Sequence, residues 1–217
     1  MFFKKTVLTL MAAIVCLSMT QVTAQEKNQA GEPSPLVKKV IESLQKQEKP
    51  DFDKAISELE TGLKANPHDK EAQLLLVQII ETSGMRAAQE DEKKASPYFL
   101  KAATVLRSMM KSDKLEGDQQ KYIAEMVFYN EACVLAKSGK ADAAMAALKD
   151  CFNAGVDNIS MLATDGDLDS LRNRDDFKTM VKELTVRAAE EAKKEFAEMI
   201  ANQRSFPFDF ELKNLDG

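Results

Sequence analysis

Two of the three cysteines, one imidazole and a run of carboxylates are the groups in this chain that could do chemistry. Cys133 and Cys151 stand on either side of Gly139, each within a helical pattern. A bridge between them requires Cα atoms within roughly 7 Å. Neither belongs to a Cys-x-x-Cys pair suited to thiol–disulfide exchange, and both are expected as free thiols. His68, the only histidine, follows Asn66-Pro67 and reads as a solvated turn residue. Without a second histidine, a zinc-type site lacks ligands. Asp165, Asp167 and Asp169 alternate as calcium-binding carboxylates do, but an EF-hand loop needs glycine at its sixth place and glutamate at its twelfth. Counted from Asp165 these are Ser170 and Asp176, so calcium stands as the alternative to simple capping and turn formation by aspartate. The sequence contains no glycine-rich phosphate loop and no nucleophile elbow. Met109, Met110, Met126 and Met145 fall at helical spacing and read as core filler. The expectation is a chain with no catalytic, cofactor-binding or metal-binding residue: not an enzyme, and with no cofactor.

The elements that would position these groups are helices. The 217 residues include no Trp, three Tyr, eight Gly and six Pro, and apolar residues recur three or four apart. That combination predicts an all-α protein. Leu36, Val37, Val40, Ile41 and Leu44 form one face. After Pro50 a second helix runs to Asn66, where Pro67 disfavours helical geometry in the residue before it. Leu75, Leu76, Ile79 and Ile80 mark a third helix, with Gly84 as its expected stop. Ser96 and Pro97 then predict the cap and first turn of a fourth. The intervening 85–95 stretch reads as an extension of one of these helices, with an inserted contact loop as the alternative. Residues 111–118 are polar and predict a loop before a long helix over 119–137. Phe128, Ala132 and Leu135 end that helix, Gly139 breaks the pattern, and Ala144, Leu148 and Cys151 resume it.

That last unit, Phe128 to Val156, resembles a tetratricopeptide repeat, a helix–turn–helix of about 34 residues that stacks side by side. Ala55, Leu59, Gly62 and Pro67 match the second helix and closing proline of the same repeat. The segment around Leu162, Asp165 to Asp167, Leu168, Leu171, Arg172 and Phe177 is similar to one that closes bacterial arrays of this family. The resemblance implies a tetratricopeptide-like α–α superhelix of about three hairpins over 36–173. It also implies a groove lined by the first helices, with Glu71, Leu74, Gln78, Glu81, Tyr129, Cys133 and Lys137 facing it and Cys151 turned to the packed interior. The function implied is binding of a protein or peptide partner by a monomer.

The two ends carry further expectations. Lys4 and Lys5, an apolar core from Val7 to Met19 and Val22-Thr23-Ala24 have the three-part form of a secretory signal cleaved after Ala24. This predicts export to the periplasm or beyond the cell, with no stable membrane insertion after cleavage; acylation at Cys16 would instead tether the chain. A polar linker over 25–35 follows. Net charge is −5 and falls by two without the lysines of that signal, which argues against nucleic-acid partners. From Asp175 to Arg204 a long amphipathic helix presents Phe177, Val181, Leu184, Ala188, Ala192, Phe196 and Ile200 along one side, within a 174–204 segment expected to cover the edge of the last repeat and then lead outwards, with a homo-oligomeric coiled coil as the alternative. Over 205–217, Phe208, Phe210 and Leu212 alternate with charged residues as in a strand. FDFELKNLDG resembles the opening strand of a thioredoxin-like domain. It implies an alternative role, the partner-recruiting part of a thiol–disulfide oxidoreductase whose catalytic domain lies beyond Gly217.

Overall fold

The computed structural model describes residues 32–112, 115, 117–154 and 159–202. The expected signal peptide, most of the linker and the 205–217 segment lie outside the described residues. Those described form helices and one 3-10 turn, with no strand among them: α1 Pro35–Gln45, α2 Phe52–Ala65, α3 Lys70–Glu90, α4 Glu92–Ser112, α5 Gly117–Lys137, α6 Ala141–Asn153, α7 Ile159–Thr164, the 3-10 helix Gly166–Leu171 and α8 Asp175–Asn202. The described part of the protein is all-α. The helices fall into two compact units, one holding α1 to α6 with the 3-10 helix, the other holding α7 and α8.

In the first unit each helix packs on the next, most extensively α3 on α4 and α5 on α6. Local chemistry sets the boundaries. Ser34 Oγ accepts from Val37 N–H at 3.3 Å, so α1 opens at Pro35, inside the expected linker. Asp51 and Asp69 cap α2 and α3 in the same manner, each accepting a backbone N–H at 3.0 Å. These bonds satisfy donors that a helix start leaves unpaired. Between α5 and α6 the chain takes a Schellman turn. Gly139 has φ +72, Lys140 N–H donates to Leu135 O at 2.9 Å and Gly139 N–H to Ala136 O at 3.1 Å. Glycine holds that left-handed position without a Cβ clash.

Two expected boundaries are corrected. Gly84 does not stop α3, which continues to Glu90, and Ser96-Pro97 do not open α4, which begins at Glu92. The 85–95 stretch extends both helices, joined by Asp91 alone. The reason lies in packing: Gly84 is buried, and a Cβ there would stand 2.8 Å from Phe99 Cε1 and 3.1 Å from Tyr98 Cβ. Its missing side chain brings α3 and α4 together. Pro97 sits inside α4, where its ring removes the N–H that would bond Lys93 O.

The core of the first unit is aliphatic and small: Leu59, Ala72, Leu75, Ile79, Ile80, Ala102, Leu106, Ala124, Phe128, Ala132 and Ala144 are fully buried. Leu168 and Leu171 of the 3-10 helix are buried as well. In the second unit Leu162, Phe177, Met180 and Leu184 are buried. Along the outer half of α8, Phe196 is 60% and Ile200 52% exposed. Its apolar stripe is therefore covered only as far as Leu184. Among the described residues, no helix is long and apolar enough to cross a membrane.

Candidate functional site

Tyr129, Cys133 and Lys137 follow one another at four-residue steps along α5 and share a face, as their spacing requires. That face meets the start of the 3-10 helix. Tyr129 Oη donates to Asp165 Oδ2 at 2.8 Å and Lys137 Nζ to Asp167 Oδ1 at 3.1 Å. Lys137 also pairs with Glu92 at the start of α4. Asp165 caps the 3-10 helix by accepting from Asp167 N–H at 2.9 Å. Ser170 Oγ donates to Ala136 O at 3.3 Å, and Arg172 donates to Asp165 O at 2.6 Å. The chain's own closing segment thus lies on this part of the expected groove. Burial and the neighbouring Asp165 push both the Tyr129 hydroxyl and the Cys133 thiol well above their ordinary values, and Glu92 with Asp167 raises the Lys137 ammonium.

Cys133 Sγ and one oxygen each of Asp165 and Asp167 lie within 4.8 Å of one another. Tyr129, Lys137 and the Asp167 amide donate to these two carboxylates, and these bonds hold the 3-10 helix against α5. Asp169 and Asp176 turn elsewhere, to Arg172 at 2.6 Å and Arg174 at 2.9 Å. The carboxylates counted as a calcium loop are therefore dispersed among separate arginine and capping partners. Cys133 and Cys151 are both buried free thiols. Burial pushes Cys151 up to about 12. His68 is exposed in the turn between α2 and α3.

The remaining groove residues, all on α3, divide by burial. Glu71 is exposed and accepts from Ser34 N–H at 2.7 Å, tying α3 to the start of α1. Leu74 and Gln78 are half-buried, whereas Glu81 has no exposed surface. Glu81 Oε2 accepts from Asn130 Nδ2 at 2.8 Å. Beside it, Arg107 of α4 holds Glu131 through two bonds, at 2.8 and 2.6 Å, and Asp150 of α6 through a third at 2.8 Å. The Arg107 guanidinium also lies 5.0 Å from the centroid of the Phe128 ring. Its bonds to Glu131 raise its already high proton affinity. One arginine thereby joins α4, α5 and α6.

An open cleft of about 580 Å³ lies where the start of α2, the end of α3 and the start of α4 converge. Phe52, Asp53, Ser83, Arg86, Glu90 and Tyr98 are among the residues lining it. Tyr98 Oη donates to Asp53 at 3.3 Å and Glu90 pairs with Lys94 at 3.3 Å. Burial and Asp53 raise the Tyr98 hydroxyl. Arg86 stacks 5.1 Å from the centroid of the Phe52 ring and has no carboxylate partner among the described residues. A stacked guanidinium with free N–H edges is preorganised to take a carboxylate in two parallel hydrogen bonds.

Sequence reasoning does not find this cleft, nor Arg107. Their residues come from three helices each, and no spacing rule links them. The only local signal for the cleft is an aromatic residue just after the Asp51 cap. No family model, curated protein or solved structure matches this chain.

Proposed function

We propose that this chain is an exported tetratricopeptide-like module that binds a protein or peptide partner without catalysis, and that the partner enters the cleft between Phe52, Arg86 and Tyr98. The observation that carries this reading is the cleft itself. It is open, lined by both aromatic and charged side chains, and built on the ends of rigid helices. A recognition site needs such a mixture of apolar area and a few oriented polar groups. Stacked α1–α6 helices support the repeat reading, as does the burial of Ala55, Leu59, Ala132, Ala144 and Leu148 at positions where the family places small or apolar residues. The Tyr129–Lys137 face contributes less to partner binding, since Asp165 and Asp167 already engage it.

The test is selection of random peptides displayed on phage against the full chain, followed by calorimetry with each synthetic peptide. Support would be peptides that lose binding in Arg86→Ala and in Ala87→Trp, and that shift the amide resonances of Phe52, Arg86 and Tyr98. Peptides that bind these two variants as well as the parent chain would place recognition elsewhere and overturn the reading.

A further inference from the structure

Glu81 occupies the middle of α3 with no exposed surface. Its Oε2 has one donor, Asn130 Nδ2 of α5. Its Oε1 is buried and has no hydrogen-bond partner among the described residues. An ionised carboxylate, with acceptor sites on both oxygens, is poorly served by a single donor, and burial removes the water that would supply the others. The groups that face Glu81 add no cation. From α5 come Asn130, which donates, and Glu131, whose negative charge opposes ionisation. Arg107 of α4 is engaged by Glu131 and Asp150. Among the described residues, α1 and α2 bring no ion pair or hydrogen bond to Glu81.

We propose that Glu81 is a proton switch within the helix stack: as a neutral acid it sits between α3 and α5 without charge, and loss of its proton leaves a buried carboxylate beside Glu131 that the single Asn130 donor does not compensate, which destabilises the stack. Burial, aided by Glu131, carries the carboxyl from its ordinary 4.5 up to about 8. Between those values the folded chain holds a proton that the unfolded chain has released. Stability from this group is therefore complete below pH 4.5, declines as pH rises, and is lost by the time pH has passed through 8. From about pH 6 to about pH 8 the folding equilibrium constant falls by roughly 50-fold on this account alone.

The test is urea unfolding of the full chain, followed by far-UV circular dichroism across that pH range, for the parent and for Glu81→Gln. Glutamine keeps the acceptor for Asn130 and has no proton to lose, so most of the decline should vanish. A variant as pH-dependent as the parent would overturn the proposal. Should Glu81→Gln fail to fold, carbon NMR of the Glu81 carboxyl in the parent chain decides: a midpoint near 8 supports the switch, and one in the ordinary glutamate range removes it.

Discussion

Replacing Gly84 with alanine isolates the packing of α3 on α4. An alanine Cβ there would stand 2.8 and 3.0 Å from two ring carbons of Phe99 and 3.1 Å from Tyr98 Cβ. Neither obstacle can swing away cheaply. Phe99 is buried, and the Tyr98 Cβ is fixed to the backbone of α4. Overpacking of this sort costs about 1–3 kcal/mol, while alanine in a helix interior returns about 1 kcal/mol relative to glycine. The net expectation is a destabilisation on the order of 1 kcal/mol, or roughly 2–4 °C in melting temperature for a chain of this size.

Gly62→Ala supplies the matched control. Its Cβ would meet both methyls of the Leu36 side chain, and its Cγ at 3.1 Å; Leu36 is only half-buried, so it can shift toward solvent at less cost than the buried Phe99. The propensity gain should survive there, leaving that variant as stable as the parent or more so. Thermal and urea unfolding of the two variants side by side is the assay. If Gly84→Ala proves as stable as Gly62→Ala, the bare backbone at Gly84 is not what allows α3 and α4 to approach, and the account of the extended hairpin fails.

Arg107→Met should cost about 2–3 kcal/mol in urea unfolding, because it strands the buried Glu131 carboxylate; partial exposure of the arginine lowers the figure from that of a fully buried pair. Adding Glu131→Met should recover much of that loss, and a double variant no more stable than the single would show that the ion pair is not the source. Cys133 and Cys151 should resist iodoacetamide at about pH 8 until the chain unfolds, since burial keeps both thiols protonated and the thiolate is the nucleophile. Peptide mapping of alkylation with and without urea checks this, and labelling of either cysteine at the rate of a free thiol would refute it.

Much of the architecture can be read from local chemistry. Asp51, Asp69 and Gly139 are legible because a cap or a left-handed turn involves residues only a few positions apart. The helix faces of Leu75 to Ile80 and of Phe128 to Leu135 are legible because periodicity states which residues share a side. Gly84 is misleading for the converse reason. A glycine at the end of an apolar pattern looks like a stop, and only Phe99, on the far side of the Asp91 join, reveals that it is a contact. The join itself is concealed because the residues from Met85 to Ala95 favour helix on both sides of Asp91. Pro97 likewise looks like a beginning, yet α4 tolerates it in the interior once Asp91 has already turned the chain.

The candidate site divides along the same line. Spacing alone aligns Tyr129, Cys133 and Lys137, but spacing cannot say what lies upon a face. Asp165 and Asp167 reach that face from the closing segment, and their alternation looks like a calcium loop until Tyr129 and Lys137 are seen holding them. Glu81 shows the same limit from within: its position on α3 marks it as groove-facing, while burial makes it a core acid with one hydrogen bond. The cleft depends wholly on tertiary structure, because Phe52, Arg86 and Tyr98 converge only after α3 has extended past Gly84 and α4 has folded back from Asp91. Had α3 ended at Gly84, Arg86 would lie in a loop with no aromatic ring to orient it. The extension of that helix is thus the structural event that forms the cleft at the α2–α4 junction.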